Sequence, residues 1–116
     1  MHNPPACHQL DLHGLSVMAA VSRVEVQLQA LQHLAQVHPG GVIFSIIVGK
    51  GLHSAANIPR VKPAVLRLLE DVRDVEYRQG RAWQITFGLQ PGNDGVIEVY
   101  LPSGGPGCMW PLAALC

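Results

Sequence analysis

The sequence predicts a two-layer α/β sandwich. Three observations carry that reading: an alternating segment at His8 to His13, an amphipathic stretch from Val17 to Val37, and a β-branched and aromatic run from Val42 to Val48. A second apolar stripe and further strand-like segments come after these, giving the order β-α-β-α and then strands. Right-handed crossovers make the first two strands parallel.

Residues 1–8 hold two prolines and no periodicity, and read as a disordered lead-in. His8 to His13 alternates, with Leu10 and Leu12 on the buried side of a short strand. Gly14 ends it, and Ser16 suits the N-cap of a helix. Val17, Ala20, Val21, Val24, Leu28, Leu31 and Ala35 recur at threes and fours until Pro39-Gly40-Gly41 stops the pattern. Val42 to Val48 has the character of a central strand. Pro59 and Pro63 do not both fit inside one regular helix, so the second helix is expected to start near Pro63, with Pro59 to Lys62 as a turn. Val65, Leu68, Leu69 and Val72 supply its apolar stripe. Strand-like segments are expected at Val75 to Gln79, Trp83 to Leu89 and Val96 to Leu101, separated by Gly80 and by Pro91-Gly92-Asn93-Asp94-Gly95. Residues 102–116 read as a flexible Gly/Pro-rich tail ending in an apolar Met-Trp-Pro-Leu-Ala-Ala-Leu segment.

With 116 residues, 48% of them apolar, the chain suffices for one packed domain without disulfides or a structural metal. Only 14% are charged and the formal net charge is zero, which excludes a generally cationic, nucleic-acid-coating surface. The distribution is uneven: from Lys50 to Arg67 there are four bases and no acid, whereas Glu70, Asp71, Asp74 and Glu76 neutralise the later arginines. An anionic partner is therefore expected near residues 50–67. Cys7, Cys108 and Cys116 are odd in number and lack C-x-x-C spacing, as expected of free thiols in a reducing compartment. No signal-peptide pattern opens the sequence, and no apolar run is long enough for a membrane span. The expectation is a soluble cytoplasmic or nuclear monomer with no membrane partner.

Two constellations carry chemistry. Asp11 and His13, two apart on a strand, leave the same face. A carboxylate beside an imidazole can fix its tautomer and suit it to acid–base work near neutral pH; the alternative is an exposed strand end with no task. The second is the apolar strand running into Gly49-Lys50-Gly51-Leu52-His53-Ser54. Two glycines let the backbone turn sharply and approach a phosphate, and successive N–H groups can form an anion-binding nest. This is not a Walker A loop, which requires G-x-x-x-x-G-K-[ST]; the alternative is an ordinary glycine turn. Adjacent parallel strands open both constellations on one sheet edge, where α/β sheets usually place ligands.

These residues resemble the Smr (small MutS-related) family. Leu10-Asp11-Leu12-His13-Gly14-Leu15 matches its L-D-L-H-G-L start, and Ile46 to Gly51 its strand ending in a glycine-rich turn. Leu52-His53-Ser54 and Pro59 to Val65 are similar to the G-x-H-S and K-P-A-V form of eukaryotic members, and Gly95 to Leu101 to the closing strand. The match covers roughly residues 9 to 101. It implies a β-α-β-α-β-β sandwich with a four-stranded mixed sheet and two helices, and nicking or endonuclease activity on DNA or RNA, including messenger RNA on stalled ribosomes. Val48 stands where many members have Thr, and Trp83 to Leu89 adds strand-like material where many go directly to the glycine turn.

The expected function is endonucleolytic nicking or cleavage of nucleic acid, with RNA preferred over DNA as the substrate. His13, oriented by Asp11, takes a proton, Lys50 and the glycine N–H groups stabilise charge on phosphorus, and His53 donates a proton. Gly49, Lys50, Gly51, Ser54, Arg60 and Lys62 are expected to bind nucleic acid. No cofactor is expected, although Asp11 by itself could recruit one magnesium ion. The rival expectation is a non-catalytic RNA- or ribosome-binding module.

Overall fold

The computed structural model describes residues 4–49, 60–80 and 84–103. Six elements run in the order β1 (Ala6–Asp11), α1 (Val17–Val37), β2 (Val42–Ile47), α2 (Val61–Arg78), β3 (Thr86–Gln90) and β4 (Asn93–Leu101). The sheet order is β1-β2-β4-β3, with β1 and β2 parallel and both other pairings antiparallel. This is the expected α/β architecture with two helices and a four-stranded mixed sheet.

Register places Leu10, Ile46 and Ile97 in one row and His8, Phe44 and Val99 in the next, all toward the same side. The helices cover that side. Ala20, Val24, Leu28, Leu31 and Ala35 of α1 and Val65 and Leu69 of α2 join Val42, Phe44, Ile46, Ile97, Val99 and Leu101 in one core. Full burial of a side chain of Phe44's or Leu69's size is worth about 1.5–3 kcal/mol. Ser16 caps α1 as expected, its hydroxyl accepting the Ala19 N–H at 3.2 Å. Past the end of α1, Gly41 has φ +76, and a Cβ there would stand 2.6 Å from the Leu101 carbonyl oxygen. Only glycine fits where the chain turns beneath the end of β4.

Several boundaries differ from expectation. β1 begins at Ala6, inside the segment read as lead-in, because parallel pairing with Val42 and Ile43 extends it. It ends at Asp11, so His13 lies in the adjoining turn. α2 begins at Val61, which puts Pro63 third in the helix, where its missing N–H would have had no intrahelical acceptor. Most consequential, residues 75–78 are helical, and no strand forms at Val75 to Gln79.

The cause is Glu76. It continues the buried stripe of Val65 and Leu69, and is itself only 6% exposed. Its carboxylate accepts the Ile85 backbone N–H at 2.9 Å and the Gln32 side-chain amide at 3.0 Å. That carboxylate ties α2 to α1 and to the segment entering β3, overriding the strand preference of Val75. β3 then runs over 86–90 instead of 83–89, Trp83 lying outside the described residues. The Pro91-Gly92 turn, with Gly92 at φ +78, is shorter than the expected five-residue break, so Asn93 to Gly95 belong to β4.

Candidate functional site

Because β1 and β2 are adjacent and parallel, their carboxyl ends open on one edge of the sheet. The ladder continues past β1, the Leu12 N–H donating to the Ile47 carbonyl at 2.9 Å. Asp11 pairs with Ile47, two residues before Gly49. Ordinary strand spacings put the Asp11 and Gly49 Cα atoms about 8 Å apart. Asp11 is exposed on the side away from the helices, whereas Leu12 is 3% exposed in the core.

His13 is also exposed, but its link to Asp11 is not the expected carboxylate–imidazole pair. Asp11 Oδ1 accepts the backbone N–H of His13 at 2.9 Å, an aspartate bonding the main chain two residues on. The Leu15 N–H donates to the Leu12 carbonyl at 3.1 Å, and Gly14 at φ +79 closes the turn. The carboxylate thus fixes the backbone that carries His13, and through it the base of the imidazole.

The second glycine turn starts at Gly49, with φ +81. Gly95 anchors it: its carbonyl accepts the Val48 N–H at 2.9 Å and the Gly49 N–H at 3.1 Å. Gly95 is buried, and its own N–H donates to Asn93 Oδ1 at 3.1 Å. In the sequence pattern Asn93 to Gly95 look like a mere break between strands; the signal that marks their role is the Asn-x-Gly spacing, which suits an Asx turn. Lys50, Gly51, His53 and Ser54 lie outside the described residues.

Both helices point their N-termini at this edge. α1 starts shortly after β1 ends, and α2 runs in the same direction, since Glu76 near its end bonds Gln32 near the end of α1. Neither first turn contains an acid, and Arg60, at the N-cap of α2, makes no side-chain cap bond. The positive ends of two helix dipoles therefore face the region where β1 and β2 finish. Arg60 is exposed and Lys62 half-buried there. Arg73, by contrast, lies 5.0 Å from the Phe87 ring centroid, further along α2. Among the described residues no group of three or more His, Cys, Asp or Glu side chains could hold a metal. Nor is any described helix long and apolar enough to cross a membrane.

No family model matches the chain. It is 33% identical over 95 residues to an Smr domain-containing protein of Schizosaccharomyces pombe, an alignment covering 82% of this chain and 38% of that protein. It is 37% identical over 60 residues to NEDD4-binding protein 2 of Homo sapiens, covering 52% of this chain and 3% of that one. The chain thus spans well under half the length of either relative. The solution structure of the SMR domain of NEDD4-binding protein 2 is similar at a TM-score of 0.53 and 28% identity, covering 90% of this chain and 95% of that domain.

Proposed function

Because the chain belongs to the Smr (small MutS-related) domain family, we propose that it binds nucleic acid at the edge formed by Asp11, His13 and Gly49 and cleaves RNA there. The observation that carries the reading is the convergence at that edge. An exposed imidazole on a braced turn, a glycine turn and two acid-free helix N-termini face the ends of β1 and β2. Each is suited to a phosphodiester: the helix ends and glycine turn to its charge, the imidazole to its protons.

The cleavage chemistry is internal. The ribose 2′-oxygen attacks phosphorus as His13 accepts its proton, and the bond to the 5′-oxygen breaks as that oxygen takes a proton from His53. Lys50 and the backbone N–H groups that follow Gly49, whose own N–H is held by the Gly95 carbonyl, stabilise the charge on the phosphorane oxygens. The products are a cyclic 2′,3′-phosphate and a free 5′-hydroxyl. A time course on end-labelled RNA, with wild type and His13→Ala, tests this directly. Cleavage abolished in the variant and on a 2′-deoxy substrate is the expected result. Equal magnesium-dependent cleavage of DNA would instead make Asp11 a metal ligand.

A second reading, a non-catalytic module that places a partner on RNA or the ribosome, is favoured by one observation. Asp11 Oδ1 is engaged by the His13 backbone, so the carboxylate has a structural task that requires no chemistry. Binding of RNA without cleavage would select it.

A further inference from the structure

β3 forms one edge of the sheet, and Thr86 to Gln90 carry neither the charge nor the proline that commonly blocks edge pairing. On the open side of the sheet, Ser45, Glu98 and Gly88 form one row across β2, β4 and β3. Glu98 therefore stands between a serine and a glycine, with no cation opposite it on either neighbouring strand. Its carboxylate accepts the Gln90 side-chain amide at 3.2 Å, a neutral donor for a charged group. Gly88 has no positive φ that would demand glycine, and a Cβ there would meet nothing within 4 Å. Such a glycine weakens its strand and often marks where another group approaches closely. Around it lies a groove of about 430 Å³ whose walls include Ile43, Thr86, Glu98 and Tyr100. Tyr100 is 39% exposed, and its hydroxyl donates to the Gly40 carbonyl at 3.3 Å, which holds the ring in place.

We infer that an extended segment of a partner protein adds to the β3 edge and lays an arginine side chain across Gly88, its guanidinium on the Glu98 carboxylate. An added strand is held by main-chain hydrogen bonds and sends alternate side chains to opposite faces. A residue opposite Gly88 then points to the open side, two strand spacings or about 9.6 Å from the Glu98 backbone. An arginine spans that gap to the carboxylate because position 88 has no side chain in the way. The Tyr100 ring, diagonal to Gly88, is within range of a cation–π contact with it. The segment's adjacent residues fall on the other face, beside Leu89, which is 44% exposed at the edge and favours apolar partners. Among the described residues, the strand positions on the open side include Asp11 and Glu98 and no lysine or arginine. Charge complementarity thus selects a cationic partner and disfavours a phosphate backbone in the groove. Asp11 lies on β1, the opposite edge of the sheet, so docking at β3 leaves the proposed phosphodiester site free.

The test titrates the isotope-labelled full chain with the capped peptide Thr-Val-Arg-Val-Thr and follows the amide resonances. Those of Thr86 to Gln90, Glu98 and Tyr100 should shift and saturate. Replacing the peptide's arginine with glutamine, or Glu98→Gln in the protein, should each weaken binding about fivefold. The two changes together should cost no more than either alone, since both remove one pair. Gly88→Val fills the notch with a strand-favouring residue and should bring the arginine peptide down to the level of the glutamine peptide, with melting retained. Should that variant disturb the fold, the cycle between Glu98 and the peptide decides by itself. Asp71→Asn, at an exposed position of α2, should change nothing. Absent shifts, or arginine and glutamine peptides that bind alike, overturn the proposal. So does equal weakening by Asp71→Asn, which would mean general attraction between charges. Shifts of the same resonances by single-stranded RNA and not by peptide overturn it in favour of base stacking on the sheet. Shifts that grow with protein concentration alone overturn it by making a second copy the occupant.

Discussion

Glu76→Ala is the substitution whose cost the structure fixes most directly. The residue is 6% exposed, with Ile85 at 2%, so the Ile85 N–H has no water to replace the carboxylate it donates to. Stranding a buried donor costs about 1–3 kcal/mol, and losing a hydrogen bond to a charged group is of similar size. The half-buried Gln32 amide can return to solvent and adds little. The expected loss is therefore about 2–4 kcal/mol. Glu76→Gln keeps an oxygen for Ile85 and forfeits the charge, so about 1 kcal/mol is expected. Urea unfolding followed by circular dichroism separates the two, with the midpoint moving and the slope m unchanged. An Ala variant within about 0.5 kcal/mol of wild type would refute the reasoning, since the carboxylate would then not be what holds α2 against β3.

Other substitutions have equally definite outcomes. Gly41→Ala should cost more than about 2 kcal/mol in thermal melts, combining positive φ with a Cβ 2.6 Å from a carbonyl oxygen. Gly80→Ala, with φ +74 but open space, should cost only about 1 kcal/mol. Replacing Arg60 and Lys62 together with Ala should weaken RNA binding and flatten its log–log salt dependence, by about 0.7 for each phosphate no longer neutralised. On the proposed cleavage mechanism, Asp11→Asn should bind RNA as wild type does and cleave it more slowly, measured by filter binding and single-turnover cleavage.

Much of the fold is legible in the sequence because its signals are local. The spacing of Ala20, Val24, Leu28, Leu31 and Ala35 needs a helix, and Ser16 marks its start. Val42 to Ile47 needs burial on one face, and a connection through α1 forces its parallel partner. The features hidden from a sequence reading are tertiary. Val75 to Gln79 looks like a strand until Glu76 is seen to bond Ile85 and Gln32, partners 9 and 44 residues away. Glu76 reads in sequence as one more solvated acid in a charge run. At the site, the parity of Asp11 and His13 points to exposure of both but not to the hydrogen bond joining them. An aspartate serves a backbone N–H two residues on as readily as it serves an imidazole, and D-x-H spacing permits either. The anchoring by Gly95 depends on β4 lying beside β2, which no local pattern specifies.

Asp11 is where the catalytic and the binding readings part. Its Oδ1 holds the His13 backbone, and a second carboxylate oxygen remains for the imidazole or the substrate. Asn retains an oxygen acceptor for the His13 N–H but carries no charge, whereas Ala removes both. If the residue only braces the turn, Asn should match wild type in binding and in rate, and Ala should weaken both by letting His13 wander. If the negative charge supports an imidazolium that forms as the 2′-proton is taken, Asn and Ala should both slow cleavage, with binding preserved in Asn. Brace and charge therefore predict different ranks for Asn, which keeps the oxygen that accepts the His13 N–H and changes only the charge. A wild-type protein that binds without cleaving, together with an indistinguishable Asn variant, would mean that this edge recognises phosphates and leaves them intact.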